Sequence, residues 1–209
     1  MEKNLAILIA DLSGYTALTE THGSGAAADL VEQYISMVND SLAGDCRLHQ
    51  CVGDEVLIVS SSADHLLATA IMLMKSASLE HHFLQLHGGL HYGKILERNN
   101  NYFGTTINLT SRIASNASPG SFCCSQAYID SLSKEPKYTF ISKGPKRFKN
   151  ITDEVPIFEL VISDPGQYHI DPVCRMVTNK EKGVPHPIVQ NIFFCSTHCL
   201  DIYVMNEGN

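Results

Sequence analysis

No stretch of this sequence is both long and apolar enough to span a bilayer. The N-terminal apolar run, Leu5 to Ala10, is too short for a secretory signal, and no small-residue cleavage site follows it. A cytoplasmic location is therefore the default expectation. Basic residues are scarce: 15 Lys and Arg against 22 Asp and Glu leave a net charge of −7. That balance argues against non-specific nucleic-acid binding, which works through a basic face. Internal repeats and low-complexity tracts are missing. What is present is 209 residues with 44% hydrophobic content, enough for one ordinary domain and a small appendage.

Seven cysteines are an odd number, and they cluster unevenly. Cys46, Cys51, Cys123 and Cys124 sit in strand-like surroundings and read as small core residues. Cys174, Cys195 and Cys199 fall in the last fifth of the chain. In a reducing compartment such a group favours a metal site over a disulfide framework.

Two carboxylates carry the chemistry. Asp11 closes the apolar run and is followed by Leu12-Ser13-Gly14-Tyr15-Thr16; Asp54 follows Val52-Gly53 and precedes Val56-Leu57-Ile58-Val59. A carboxylate at the end of a buried strand costs several kcal/mol unless something pairs with it. Two such ends side by side repel, and a divalent cation with oxygen ligands relieves both problems. The small-residue turn after Asp11 leads into a helix whose free N–H groups suit phosphate. Metal carboxylates beside an anion-binding turn indicate nucleotide chemistry.

Periodicity predicts a strand over 5–11 and a helix over about 14–42, broken at His22-Gly23-Ser24-Gly25. A hairpin over 46–51 and 55–60 turns at Val52-Gly53-Asp54, and a helix follows over 63–78. A strand at 84–97, a polar loop at Asn99-Asn100-Asn101 and a helix from Thr105 to Asn116 come next. A strand (121–124), a helix (125–132) and strands near 138–142 and 155–161 complete an α/β sandwich on a mostly antiparallel sheet. A turn-rich break at Ser163-Asp164-Pro165-Gly166 separates 1–162 from a module at about 167–209.

Asn101-Tyr102-Phe103-Gly104-Thr105-Thr106-Ile107-Asn108-Leu109-Thr110-Ser111-Arg112, taken with the Asp11 opening and the Gly53-Asp54 turn, resembles the class III nucleotidyl cyclase catalytic domain. The three motifs fall in the family's order over most of residues 1–160. The resemblance implies a ferredoxin-like fold with extra elements. The short link from Lys94 to Asn101 is similar to the subgroup with a reduced dimerisation arm. It also implies conversion of a nucleoside triphosphate, ATP favoured and GTP open, to a 3′,5′-cyclic nucleotide and pyrophosphate.

By the same resemblance, Asp11 and Asp54 would bind two Mg²⁺ or Mn²⁺ ions, with Gly14, Tyr15 and Thr16 beside them. Asn108 would orient the ribose, and Arg112 would stabilise charge on the α-phosphoryl group; both lie on one helix face. Lys149, with basic neighbours Lys146 and Arg147, falls where the family often touches the triphosphate. Gln50 and Asn101 take the base-recognition positions, where adenylate cyclases commonly carry Lys and Asp. Both amides donate and accept, so either base can be accommodated. In the family a complete site draws on two subunits, so a homodimer is implied. A non-catalytic nucleotide- or metal-sensing module is the competing expectation.

The segments Tyr168 to Met176 and Phe193 to Cys199 resemble a YHS domain of the TRASH-like metal-binding group. Cys174, Cys195 and Cys199 would favour zinc or copper, with His186, His198 or His169 as a fourth ligand. Binding there is expected to influence the cyclase domain.

Overall fold

The computed structural model describes residues 2–133, 138–162 and 168–207. Its element order is β1 (Glu2–Ser13), α1 (Tyr15–Ser41), β2 (Arg47–Val52), β3 (Glu55–Ser60), α2 (Ala63–Leu79), β4 (Gln85–Arg98), β5 (Asn101–Phe103), α3 (Thr105–Ala114), β6 (Phe122–Ser125), α4 (Gln126–Ile129), β7 (Phe140–Lys146) and β8 (Val155–Leu160). Four short strands follow: β9 (His169–Ile170), β10 (Val177–Thr178), β11 (Val184–Pro185) and β12 (Phe193–Phe194). Helix α5 (Thr197–Glu207) comes last. The strands order as β2-β3-β1-β4-β6-β8-β7, with β5 beside β4. Only β4 and β6 run parallel; the other neighbours in this sheet are antiparallel.

Strand β1 is a continuous apolar run because both faces of the sheet are covered. Ala6, Leu8, Ala10 and Leu12 point to one layer, with Leu18 and Tyr34 of α1 and Leu66, Ala70 and Leu73 of α2. Leu5, Ile7 and Ile9 point to the other, where Ile107 and Ala114 of α3 pack. Burying each large aliphatic side chain here is worth about 1.5–3 kcal/mol. Helix α3 lies unusually close to β4, since a Cβ on Gly89 would stand 2.4 Å from the Ala114 nitrogen and 2.6 Å from the Thr110 oxygen. That glycine sets the height of α3 above the sheet.

The structure departs from the sequence expectations in several places. Asn101 opens β5 instead of closing a loop: Asn99 and Asn100, at φ 52° and 58°, make the two-residue turn, and Arg98 pairs with Asn101. Helix α4 holds four residues, capped by the Ser125 hydroxyl accepting from the Tyr128 N–H, where eight were expected. Cys46, Cys123 and Cys124 are buried as expected, but Cys51 is exposed on the edge strand β2. The break expected at Ser163–Gly166 lies outside the described residues. No helix among the described residues is long and apolar enough to cross a membrane.

The last forty residues hold a small core of their own, Cys174, Phe194, Cys195 and Cys199, flanked by Met176, Leu200 and Tyr203. They dock on the sheet layer through main chain. The Val177 N–H donates to Phe83 O at 2.7 Å, the His82 N–H donates to Val177 O at 3.0 Å, and Met176 bridges Leu84.

Candidate active site

Asp11 and Asp54 meet because of strand register. Pairing of Ala10 with Val56 brings Asp11 alongside Glu55 and the Gly53-Asp54 turn that links β2 and β3. The two carboxyls are in hydrogen-bonding contact. Asp11 Oδ1 also accepts from the Leu12 N–H at 3.0 Å. Burial and then the neighbouring Asp11 push the Asp54 carboxyl up to about 6, and burial raises Asp11 too. Two crowded, half-buried carboxylates thus hold on to a proton that a cation would displace. This all-oxygen donor set fits a hard divalent ion such as Mg²⁺ or Mn²⁺.

Gly14 follows in the left-handed region (φ 98°) and starts α1 with no side-chain cap and no acidic residue in the first turn. The N–H groups of Tyr15 and Thr16 therefore begin the helix free for an anion, with Thr16 exposed. The glycine is demanded twice over, because a Cβ there would also collide with Arg175, 2.5 Å from its Cβ.

Asn108 and Arg112 project one turn apart from α3, both exposed. Asn108 lines a pocket of about 210 Å³ with Ser111, Ile107, Gln50, Glu55 and Ile9. Gln50 and Asn108 are thus brought together in one chain. Asp11, Asp54, Arg112, Asn101 and Lys149 are not part of that lining. The Asn101 amide donates to Asn99 O at 3.1 Å, and Lys149 is exposed in the turn after β7. A larger cavity of about 340 Å³ lies between α2, β8 and Tyr168 and holds none of these residues, so size does not mark the chemistry.

Residues 1–160 match the family described as "Adenylate and Guanylate cyclase catalytic domain". The chain belongs to this cyclase family. An uncharacterized protein of Mycobacterium tuberculosis is 34% identical over 152 residues, covering 72% of this chain and 39% of that protein. A Streptomyces coelicolor protein described as adenylate cyclase is 30% identical over 133 residues, 63% of this chain and 35% of its own length. The cyclase chain thus spans well under half the length of these curated relatives. Solved adenylate cyclase structures from Trypanosoma brucei, in their monomeric state, include one that superposes with a TM-score of 0.70 at 20% identity, over 78% of this chain and 91% of that one. The mixed α/β fold expected from the sequence is the cyclase fold.

Within the cyclase domain, sequence reasoning missed His87. It pairs with Asp11 across β1 and β4, and burial lowers its pKa, which keeps the ring neutral. Only the register of two distant strands reveals it.

The three tail cysteines converge. Cys195 Sγ lies 3.5 Å from both Cys174 Sγ and Cys199 Sγ, although Cys195 precedes α5 and does not share its helical face with Cys199. The hydrogen bond between Cys174 and Cys195 raises the Cys174 thiol and lowers Cys195 to about 6, while burial pushes Cys199 up to about 12. None of the three histidines expected as a fourth ligand falls in this cluster. His186 Nδ1 accepts from the Ile188 and Val189 N–H groups, His169 stacks on Phe193, and His198 Nε2 lies 3.3 Å from Thr21 O. It is His22, from α1, whose ring nitrogen falls with the three sulfurs inside a 4.8 Å group. Asp171, also missed, is fully buried and ties the two cysteine loops together. Its carboxylate accepts from Val173 N–H (2.7 Å), Cys174 N–H (3.2 Å) and Cys195 N–H (2.6 Å).

Proposed function

We propose that the chain converts a nucleoside triphosphate, ATP in preference to GTP, to its 3′,5′-cyclic monophosphate and pyrophosphate. The observation that carries this reading is the Asp11–Asp54 contact at the ends of β1 and the β2–β3 turn, beside an uncapped helix start. Asp11 and Asp54 would hold Mg²⁺ or Mn²⁺. Two such ions, when bound, lower the pKa of the ribose 3′-hydroxyl and neutralise charge on the departing pyrophosphate.

The chain's own residues do the rest. The Tyr15 and Thr16 N–H groups, with Lys149, receive the triphosphate. Asn108 hydrogen-bonds the ribose and so aligns its 3′-oxygen with phosphorus. The planar, permanently charged Arg112 guanidinium stabilises the negative charge that builds on the α-phosphoryl oxygens. Gln50, lining the pocket with Asn108, faces the base. Its amide donates and accepts, so discrimination between adenine and guanine is modest.

That Asp11, Asp54 and Arg112 do not line the Asn108 pocket supports a shared site. One copy supplies Asp11 and Asp54, the other supplies Gln50, Asn108 and Arg112, and a two-fold homodimer makes two such sites. We also assign 1–162 to the catalytic domain and 167–209 to a YHS-like metal module whose loading influences it.

Purified protein with Mn²⁺ and ATP or GTP tests the reaction. Cyclic nucleotide should form and should be lost in Asp54→Ala. No product from either nucleotide, with Mg²⁺ and Mn²⁺ both tried at high protein concentration, overturns it. Nucleotide binding without turnover would then mark a sensing module in place of an enzyme.

A further inference from the structure

We propose that His22, Cys174, Cys195 and Cys199 form one closed, four-coordinate site for a zinc-class divalent ion, and that this ion clamps the first segment of α1 to the tail. The proposal deepens the metal-binding reading of the tail and does not depend on the cyclisation reaction.

Four of the six donor–donor edges fall close to those of a tetrahedral zinc site, and the other two lie within 4.8 Å. Zinc holds thiolate at about 2.3 Å and imidazole at about 2.0–2.1 Å, so its tetrahedral edges run about 3.8 Å between sulfurs and about 3.6 Å from sulfur to nitrogen. Here Cys174–Cys195 and Cys195–Cys199 are 3.5 Å, while His22 Nε2 stands 3.6 Å from Cys195 Sγ and 3.5 Å from Cys199 Sγ. The three cysteines are buried, and the set of three sulfurs and one imidazole leaves no position for substrate. Such closed sets are structural sites, and their soft donors reject Mg²⁺ and Ca²⁺. Asp171 supplies the outer support by holding the backbone of Cys174 and Cys195 in place.

The clamp follows from where His22 sits. It is the last residue before Gly23, whose φ 84° and ψ 166° break α1 into two pieces. The first piece, Tyr15 to His22, therefore lacks a continuous helix behind it. The tail grips it at both ends. Arg175, next to Cys174, lies against Gly14 at the N-terminal end, and the ligand cluster takes His22 at the other. His198 adds a contact to Thr21 O. Gly14 belongs to the turn that follows Asp11, so occupancy of the tail site fixes the helix start beside the catalytic carboxylates. A site of this kind takes a zinc-class ion and returns order to a segment more than 150 residues away in sequence.

The test uses the full chain, with Zn²⁺ content by elemental analysis and Co²⁺ titration as an optical probe. Wild type should take one ion per chain, with a thiolate-to-cobalt charge-transfer band. His22→Ala should bind no less than about tenfold more weakly, the lower bound set by the loss of a mere outer-shell partner. His22→Cys should restore tight binding and strengthen the charge-transfer band, and this rescue keeps the claim testable if His22→Ala folds poorly. His198→Ala removes no donor and should keep one ion per chain and the wild-type charge-transfer band. Hydrogen exchange should show Tyr15–His22 protected by the ion and released by chelation, with α3 unchanged. Wild-type affinity in His22→Ala alongside lost binding in Cys195→Ser would leave a three-thiolate tail site and overturn the clamp. Unchanged binding in Cys195→Ser, or no uptake by the fully reduced protein, would overturn the tail metal reading itself. Equal exchange of Tyr15–His22 with and without the ion would also overturn the clamp.

Discussion

Asp11 faces His87 across the β1–β4 ladder, with Oδ2 3.9 Å from Nε2, while the other ring nitrogen of His87 lies 2.9 Å from the Ser13 hydroxyl. The imidazole thereby links a carboxylate proposed to bind metal with the residue just before Gly14. It acts as a positioning residue, since its separation from Asp11 exceeds a hydrogen bond. His87→Ala should weaken Mn²⁺ binding about tenfold, the lower end of the range for lost outer-shell support. A Mn²⁺ titration read by paramagnetic resonance checks this, and an unchanged affinity would remove the role.

A pH dependence follows from the carboxylate pair. In the metal-free protein Asp54 titrates at about 6, above the ordinary carboxylate range, because burial and Asp11 oppose its charge. The native state therefore binds more protons than the unfolded chain across that window. Stability of the metal-free protein should fall as pH rises from the ordinary Asp value to about 6. Metal must displace the same proton, so the gain in melting temperature from Mn²⁺ should be larger at pH 7.5 than at pH 5.5. Asp54→Asn should flatten both trends while abolishing cyclase activity. Calorimetry at the two pH values, with and without Mn²⁺, measures them.

The shared-site assembly has its own readout. Asp54→Ala and Arg112→Ala should each be inactive alone. After subunit exchange, half the dimers are mixed and each mixed dimer keeps one of two sites, so about a quarter of wild-type activity should return. An inactive mixture, with exchange demonstrated by tagged subunits, would contradict the two-subunit site.

Gly89 and Gly25 should respond oppositely to alanine. At Gly89 the new methyl meets backbone atoms of α3 at 2.4 and 2.6 Å, and a helix cannot yield as a side-chain end can. Gly89→Ala should cost about 1–3 kcal/mol and lower kcat, since Asn108 and Arg112 ride on the displaced helix. At Gly25, inside α1 and exposed, nothing lies within 4 Å of a Cβ. Gly25→Ala should stabilise by about 0.4–1 kcal/mol through the unfolded chain. Chemical denaturation of the two variants gives both signs.

Base binding should lie with Gln50 more than Asn101. Gln50 lines the Asn108 pocket, whereas the Asn101 amide is spent on Asn99 O. Gln50→Ala should raise KM for ATP and GTP together, and Asn101→Ala should leave both within about twofold, a difference under half a kcal/mol. Steady-state kinetics with each nucleotide decides it.

Much of this was legible in the chain because the signals are local. The run Leu5 to Ala10 announces a strand buried on both faces, and Gly23-Ser24-Gly25 announces the interruption of α1. Asp11, Asp54, Asn108 and Arg112 stand out as candidates because each sits at a fixed offset from a turn or helix start. The Asn99–Asn101 segment misled because three asparagines look like loop, while the turn needs only the two with positive φ. His87 and His22 were illegible for a different reason. Nothing near His87 reports that β4 pairs with β1 in this register, and His22 lies 173 residues from Cys195. Ligand spacing is a property of neighbours in sequence, and this cluster is assembled by docking.

The position of His22 in α1, opposite Cys199 in α5, also orders events in time. A nascent chain exposes His22 long before Cys174, Cys195 and Cys199 have been made. The catalytic sheet can close with β8 while the first piece of α1 is held only by its own packing. Closing the cluster then joins α1 to α5, like a clasp on a loop. Until those three cysteines have been made, the proposed clamp on the Gly14 turn cannot close, so that turn is among the last parts of the fold to be secured.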